Sequence, residues 1–318
     1  MLIEYNLYFY NSYYNITLYI FFLNYKLKIY INLQYTMKIG VIGNGFVGKA
    51  TSQLKCKDIK LFAYDINPEH CDPKGIEIID LLDCEILFIS VPTPMSKDGS
   101  CFLNIIKSVL NDLNDINYSG FVVLRSTVPV GTSNDLNIYF MPEFLTEKNF
   151  INDFIENKQW IFGLLNNKQD DLFIKKIRQL FTLAHDNNRI KYNDLFFMLN
   201  SEAEMVKMFK NCFLATKVSF CNEMYSYCQK KQIDYNKVRY MACMDKRILH
   251  NHTMVPGHDG KLGFGGTCFP KDMASLKYDM DKHNVTCPII TSAIIRNESI
   301  DRPEKDWQSD HGRAFINK

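Results

Sequence analysis

The chain has 318 residues, 47% of them hydrophobic, and a formal net charge of +2. That length can bury a sizeable core and argues for two domains, while a near-neutral charge without a basic stripe leaves no footprint for nucleic acid. The 10 cysteines show neither CxxC pairs nor regular spacing, which argues against a metal centre or a disulfide framework and for free thiols in a reducing, cytoplasmic setting.

Residues 1–36 differ in kind from the rest: crowded with Tyr, Asn, Ile, Leu and Phe, charged only at Glu4, Lys26 and Lys28, and without Gly or Pro. The longest apolar run, Leu18–Leu23, is far short of the ~20 residues of a membrane span. Neither a basic cluster nor a small-residue cleavage site marks a signal peptide, and no membrane partner is expected. The segment reads as an upstream extension of doubtful order, with Met37 the effective start. A strand pair added to the sheet edge is the alternative.

From Met37 the pattern changes to Lys-Ile-Gly-Val-Ile, a short apolar strand running into Gly43-Asn44-Gly45-Phe46-Val47-Gly48. This GxGxxG follows a strand, opens a helix predicted over Phe46–Leu54, and precedes a second strand, Leu61–Tyr64, that ends at Asp65. Such a carboxylate, about twenty residues beyond the glycines, accepts hydrogen bonds from both hydroxyls of an adenosine ribose. A 2′-phosphate would meet its charge, so NAD is favoured over NADP. A plain strand-to-helix turn needs none of these coincidences.

Glu85–Val91 reads as a fully buried parallel strand ending in Pro92-Thr93-Pro94, and ligands in such sheets collect at the carboxyl ends of strands. A fourth strand, Phe121–Leu124, runs into Arg125-Ser126-Thr127-Val128-Pro129-Val130-Gly131-Thr132, by itself a polar turn with a helix N-cap at Thr132 or Ser133. Ile138–Phe140 is a further short strand, followed by Met141-Pro142-Glu143-Phe144-Leu145-Thr146-Glu147. Strands over Gln159–Gly163 and Arg189–Tyr192, with a helix over Lys168–Phe181 between them, complete a first domain over 37–197. The fold class expected is α/β: a doubly wound, mostly parallel sheet followed by an all-α domain over 198–300.

From about Asn200 the period turns helical for thirty residues, with Met205, Phe209, Cys212, Phe213, Thr216 and Phe220 marking a buried stripe. Lys207 and Asn211, four apart, share another face; alone they would read as a solvated surface. Met244-Asp245-Lys246-Arg247-Ile248 and the turn Pro256-Gly257-His258-Asp259-Gly260 follow. Then comes Gly263-Phe264-Gly265-Gly266-Thr267-Cys268-Phe269-Pro270-Lys271-Asp272. Its glycines permit positive φ and close packing against a ligand, and Pro270 suits the first turn of a helix. Cys268 at that N-terminus, near Lys271, is expected to favour the thiolate; most lone cysteines are merely small buried hydrophobes. Helices over Lys271–Lys282 and Pro288–Ile300 follow, and 301–318 reads as a loose polar tail.

GFGGTCFPKD closely resembles the catalytic-cysteine motif of the nucleotide-sugar 6-dehydrogenases, the UDP-glucose and GDP-mannose dehydrogenase group. VPTP, STVPVGT, MPEFLTE, SEAEMVKMFKN with FCNE, and DKRI resemble other family segments in the right order, over about Met37 to Ile300. The resemblance implies NAD-dependent four-electron oxidation of a primary alcohol to a carboxylate, UDP-glucose being the first expectation and GDP-mannose or UDP-N-acetylmannosamine the alternatives. It implies that Val91, Pro92, Thr93, Ser126 and Thr127 lie along the cofactor, Thr127 near the nicotinamide. It also implies a Cys268 nucleophile, with Lys207 and Asn211 at the oxyanion and Asp272, Glu147 and Thr127 orienting water. On the sugar side it implies Glu143, Phe144, Leu145, Phe264, Gly265, Gly266, Lys271 and, in some members across a subunit contact, Arg247.

A homodimer through the long helix is likewise implied. Met141 stands where Asn or Ser is usual, and Trp160 where a basic residue is frequent. Most members carry a second nucleotide-binding-like domain for which this sequence holds no counterpart, so the chain reads as a short form. A non-catalytic NAD-binding subunit, or a two-domain β-hydroxyacid dehydrogenase without a catalytic Cys, are the readings of other classes.

Overall fold

The computed structural model describes the backbone of residues 3–6, 14–23 and 26–317, and side chains from 36 to 317. Three strands, β1 (Ile3–Asn6), β2 (Tyr14–Leu23) and β3 (Lys26–Tyr35), pair antiparallel as a separate sheet. They do not join the main sheet, so the edge addition considered for this segment is not formed. The rest of that extension up to residue 35 lies outside the described residues.

The main sheet begins at β4 (Met37–Ile42), which turns through the glycines into α1 (Phe46–Thr51) and returns as β5 (Ile59–Tyr64). β6 (Ile86–Ile89), α2 (Asn104–Asp115), β7 (Phe121–Leu124), the single turn α3 (Thr132–Asp135) and β8 (Tyr139–Phe140) continue the alternation. α4 (Phe150–Ile155), β9 (Trp160–Leu164), α5 (Asp170–Asp186) and β10 (Leu195–Leu199) complete it.

The seven strands lie in the order β10-β9-β8-β7-β6-β4-β5, parallel except where β8 meets β9. The chain leaves β5 at one edge and re-enters beyond β4 as β6, so connections depart to opposite faces between β4 and β6 and open a crevice at their carboxyl ends. Alternation supplies both cores. Ile39, Val41, Ile86 and Phe88 face α5 through Phe173, Ile177 and Phe181, while Ile42, Leu87 and Ile89 face α2 through Ile106 and Leu113.

Three expectations fail here. The last strand is Leu195–Leu199, not Arg189–Tyr192. Arg189 donates to the Gln53 carbonyl, Lys191 N–H to that of Ile155, and the Tyr192 carbonyl accepts from the buried Trp160 indole, so their polar groups are already used. The helix α2 was not anticipated, although Ile106, Val109, Leu110 and Leu113 return at helical spacing.

The third concerns α6 (Asn200–Lys231), a single helix of 32 residues and about 48 Å. Its supposed buried stripe is mostly outside: Phe209, Phe213 and Phe220 are 63%, 59% and 61% exposed, and Met205 is exposed as well. The inner face is instead small or polar, with Ala203, Cys212, Ala215, Ser219 and Asn222. Ala203 packs on the sheet beside Gly163, and Cys212, Ala215 and Ser219 let α8 (Phe269–Lys282) and α9 (Pro288–Arg296), which come after α7 (Tyr235–Cys243), approach closely around Met208, Phe264, Met273 and Leu276.

The described part of the tail is packed rather than loose. Trp307 and Ala314 are buried with Met95, whose N–H donates to the Ala314 carbonyl and whose carbonyl accepts from Ile316. Arg302, also buried, is gripped by Asp259 and Asp306.

Candidate active site

The sequence shapes the crevice first through its glycines. Gly43 has φ 88°, and a Cβ there would meet the Ser90 carbonyl at 2.7 Å; one on Gly48 would meet the Gly43 carbonyl at 2.1 Å. The first glycine therefore makes the turn and the last lets α1 press onto the strand. Gly45 faces open space, which leaves the N-terminus of α1 approachable by a pyrophosphate. Asp65 accepts from the N–H of Asn44 at 2.7 Å and of Asn67 at 2.9 Å, and it faces a cleft of about 550 Å³. At the same cleft the buried Ser90 hydroxyl has no partner within the protein. An open glycine cradle, a cleft-lining carboxylate at the end of β5 and an orphaned hydroxyl fit a bound NAD.

Gly43, Gly45, Phe46 and Val47 line this cleft, whereas Asn44 and Gly48 lie beneath it as supports. Val91, Pro92, Thr93, Ser126 and Thr127 line it further along. These two segments are locked together: the Thr93 hydroxyl donates to the Thr127 carbonyl at 2.7 Å and the Ser126 hydroxyl to that of Val91 at 2.6 Å. Glu204 of α6 accepts from the N–H groups of Gly131 and Ser133, so the long helix fixes the start of α3. Ile105, Val109 and Asp112 of α2 form the far wall, and Arg125, donating to the Thr51 hydroxyl, lies at the back. Sequence reasoning missed these residues of α2, and the period of its apolar positions was the available signal.

At the other end Cys268 caps α8, with Pro270 in the first turn, as expected. Cys268, Thr267, Lys271 and Glu143 line the same cleft as the glycine turn. Lys271 donates to Asp272 at 2.6 Å, and Asp272 accepts at 2.6 Å from Asn211 on α6. One turn earlier on α6, Lys207 donates to the Glu143 carboxylate at 2.6 Å and to its carbonyl at 2.7 Å. Glu143 also accepts from the N–H of Leu145, and Phe144 receives the Lys210 ammonium over its ring. Lys207 and Asn211 are therefore on one buried face: Lys207 stands directly behind the lining Glu143, and Asn211 one contact deeper, behind Asp272, which holds the lining Lys271.

Burial alone would raise the Glu143 carboxyl, but Lys207, the Leu145 N–H and Arg125 together hold it below its ordinary value. Burial would likewise lower Lys207, and the charges of Glu143, Asp272 and Cys268 reverse this and raise it. For Cys268 the outcome is opposite to expectation: burial first and Glu143 second push the thiol up, outweighing Lys207 and Lys271. The nearby lysines do pull the thiol down, but burial and the carboxylates that pair with those lysines outweigh them.

The GFGG segment is shaped by the residues just beyond α9. Asn297 accepts from Phe264 N–H at 2.8 Å and donates to its carbonyl at 2.9 Å. A Cβ on Gly265 would strike the Arg302 guanidinium at 2.4 Å. Phe264, Gly265 and Gly266 thus support the Cys268 turn without lining the cleft.

Asp272, Phe144 and Leu145 do not line the cleft either, and two further expected site residues are exposed and paired elsewhere. Glu147 does not line the cleft; its exposed carboxylate pairs with Arg313 at 2.7 Å, and Arg313 is the lining residue. Arg247 is exposed and paired with Asp245 at 2.6 Å, because its loop projects from the end of α7. Trp160 is a core residue between Phe154 and Phe181. All ten cysteines are free thiols. Among the described residues no group of three or more His, Cys, Asp or Glu could hold a metal, and no helix is long and apolar enough to cross a membrane.

A Rossmann-type sheet with a dinucleotide cradle at one end of a cleft and a thiol at the other defines an NAD-binding dehydrogenase fold with a separate helical part. Comparison with known proteins agrees: residues 77–184 match the NAD binding domain of the UDP-glucose/GDP-mannose dehydrogenase family, and residues 201–299 match that family's central domain. The chain belongs to this family. It is 30% identical over 227 residues to a UDP-glucose 6-dehydrogenase of Rickettsia prowazekii, covering 67% of this chain and 49% of that one. It is 28% identical over 301 residues to a UDP-glucose 6-dehydrogenase of Campylobacter jejuni, covering 82% and 72%. A UDP-glucose dehydrogenase structure from Pyrobaculum islandicum superposes with a TM-score of 0.70 at 22% identity, covering 83% of this chain and 68% of the other, a likeness of fold. The chain spans about half the length of most of the curated relatives it matches.

Proposed function

We propose that this chain oxidises UDP-glucose to UDP-glucuronate with two NAD⁺ per sugar, in the cytoplasm. The observation that carries the reading is a cysteine and a dinucleotide cradle lining one cleft, with Lys207 of α6 directly behind its wall and Asn211 behind Asp272 and Lys271. Bound NAD⁺ would supply the hydride acceptor, held by Asp65 at the ribose and by the Gly45 turn at the pyrophosphate.

Carbon C6 gives up a hydride and its hydroxyl a proton, and the oxygen lone pair left behind closes the C=O of an aldehyde. Cys268 then adds to that carbon, its sulfur forming a bond as the carbonyl π electrons move to oxygen, and the thiol proton is lost. Lys207 uses two donors on Glu143 and Asn211 one on Asp272; the remaining N–H of each can receive the oxyanion. Loss of a second hydride from the thiohemiacetal leaves a thioester, which water hydrolyses to the carboxylate and the free thiol. Asp272, with Thr127 near the cofactor, orients that water. Overall one alcohol, one water and two NAD⁺ yield one carboxylate, two NADH and three protons.

The exposed aromatic face of α6 supports a homodimer through this helix. Phe209 and Phe213 stack with ring planes 5° apart and stand open beside Phe220, an apolar row larger than scattered surface residues require. The exposed Arg247 suits a contact made across such an interface.

The test is turnover by protein beginning at Met37, with NAD⁺ and a panel of nucleotide sugars. About two NADH per sugar, with UDP-glucose preferred, is the expected result, and Cys268→Ser should stall it. Preference for GDP-mannose or UDP-N-acetylmannosamine would move the substrate assignment. One NADH per sugar would indicate a simple alcohol dehydrogenase. No turnover would leave an NAD-binding subunit.

A further inference from the structure

The cleft-lining lysine and arginine residues are not equivalent. Among the described residues they are Arg125, Lys271 and Arg313. Arg125 is buried and donates to Thr51, and Lys271 is committed to the buried Asp272. Arg313 differs: its side chain is 47% exposed, and its partners Glu147 and Asp310 are solvated too. Exposed pairs of this kind contribute about 0–1 kcal/mol, so an anion entering the cleft can take the guanidinium from Glu147.

The backbone around Arg313 is held more firmly than its side chain. Met95, just after the Pro92-Thr93-Pro94 segment, bonds to Ala314 and Ile316 on either side, and Gly312 N–H donates to the Phe315 carbonyl. Trp307 buries itself beneath this strap, and Arg302 anchors its start on Asp259 and Asp306. Arg313 is thereby held at the cleft, within electrostatic range of Cys268. The hydrogen bond and charge of Glu147, and more weakly the charge of Asp310, raise the guanidinium above its ordinary value against the effect of burial.

We propose that Arg313 is a substrate-specificity residue, whose guanidinium leaves Glu147 to grip the diphosphate of the nucleotide sugar while the sugar's C6 lies at Cys268. A planar guanidinium matches two phosphate oxygens at once, and a diphosphate is one hexose ring away from C6. The exchange also couples occupancy to the strap: Glu147 holds Arg313 in the free chain and releases it when substrate binds. This rests on the reading of the chain as a nucleotide-sugar dehydrogenase.

The experiment compares wild type with Arg313→Ala, Arg313→Lys and Glu147→Gln. KM is measured for NAD⁺ and for the nucleotide sugar, and a calorimetric titration uses UDP, which is not oxidised. Arg313→Ala should raise the sugar-nucleotide KM and weaken UDP at least about tenfold, with NAD⁺ KM and the melting temperature little changed. Arg313→Lys should recover part of the loss, and Glu147→Gln should tighten both ligands. Unchanged UDP binding in Arg313→Ala overturns the proposal, as does an equal loss for NAD⁺, which would mark a grip on the cofactor or a merely structural strap. A KM effect without any UDP effect would place the guanidinium on the sugar rather than on the diphosphate and overturn it too. If wild type turns over no nucleotide sugar, the functional reading falls, and UDP binding alone then decides Arg313: bound by wild type and lost in Arg313→Ala it stands, and unbound by wild type it falls.

Discussion

Asn211 and Asp272 meet at 2.6 Å with neither side chain exposed, one from the long helix and one from the first turn behind Cys268. The same carboxylate takes Lys271 on its other oxygen. This junction sets where the thiol stands relative to the α6 face, and it makes Asp272 the most sensitive buried charge of the site. Asp272→Ala leaves the Lys271 ammonium without its partner and should destabilise the fold by about 3–5 kcal/mol, read from urea midpoints. Asp272→Asn keeps the shape, should lose less stability, and should lower kcat on the order of a hundredfold if the carboxylate handles protons.

The Glu143–Lys207 pair predicts a two-sided pH profile of stability. Glu143 lies below its ordinary 4.5, so its contribution is complete above 4.5 and fades as pH falls through the lower folded value. Lys207 lies above its ordinary 10.5, so its contribution is complete below 10.5 and fades as pH rises through the higher folded value. Melting temperatures of wild type should therefore fall relative to a Glu143→Gln/Lys207→Met double variant at both extremes, and run parallel between them. A constant offset at all pH values would contradict the pair.

Cys268 should be a slow nucleophile in the free protein. Its thiol lies above the ordinary 9.0 through burial and the Glu143 charge, so modification by iodoacetamide, followed on the Cys268 peptide by mass spectrometry, should inflect above pH 9.0. Glu143→Gln should shift that inflection to lower pH, and Lys271→Met should shift it higher. An inflection near neutrality would mean that the helix terminus dominates after all.

The glycines before Cys268 separate two costs. Gly266 has φ 72° with open space around it, whereas Gly263 has φ 68° and a Cβ there would meet the Asn297 amide oxygen at 2.2 Å. Gly266→Ala should cost about 1–2 kcal/mol from the left-handed backbone alone. Gly263→Ala should cost a further ~1–3 kcal/mol from overpacking, measured by denaturant melts.

Self-association through α6 should be equally direct to check. Phe213→Glu places a charge on the exposed row beside Phe209 and Phe220, and light scattering should show a dimer become a monomer. Identical masses for wild type and variant would remove α6 as the interface.

A short run of residues is enough to enforce a local feature, and those features could be read directly from the chain. A strand, a GxGxxG turn and an acidic residue are local, so the cofactor end was legible from Gly43 to Asp65. The helix start at Cys268 was legible for the same reason, through Pro270 and the glycines before it. Lys207 and Asn211 were placed on one face by helical spacing, and they do share it.

Whatever depends on which distant partner arrives came only with the folded chain. The aromatic row of α6 lies outside because Cys212 and Ala215 give α8 and α9 the closer fit on the other face. Periodicity marks an apolar face and says nothing of what covers it. The sheet edge went to Leu195–Leu199 because Arg189 and Tyr192 found partners at Gln53 and Trp160. Cys268 is held above its ordinary value by burial first and by the charges of Glu143 and then Asp272, which outweigh the two lysines beside it. Arg313 reaches the cleft only because the strap folds back onto Met95, and its partner Glu147 lies 166 positions earlier in the chain. Electrostatics and packing depend on distance in space, and local sequence carries no measure of it.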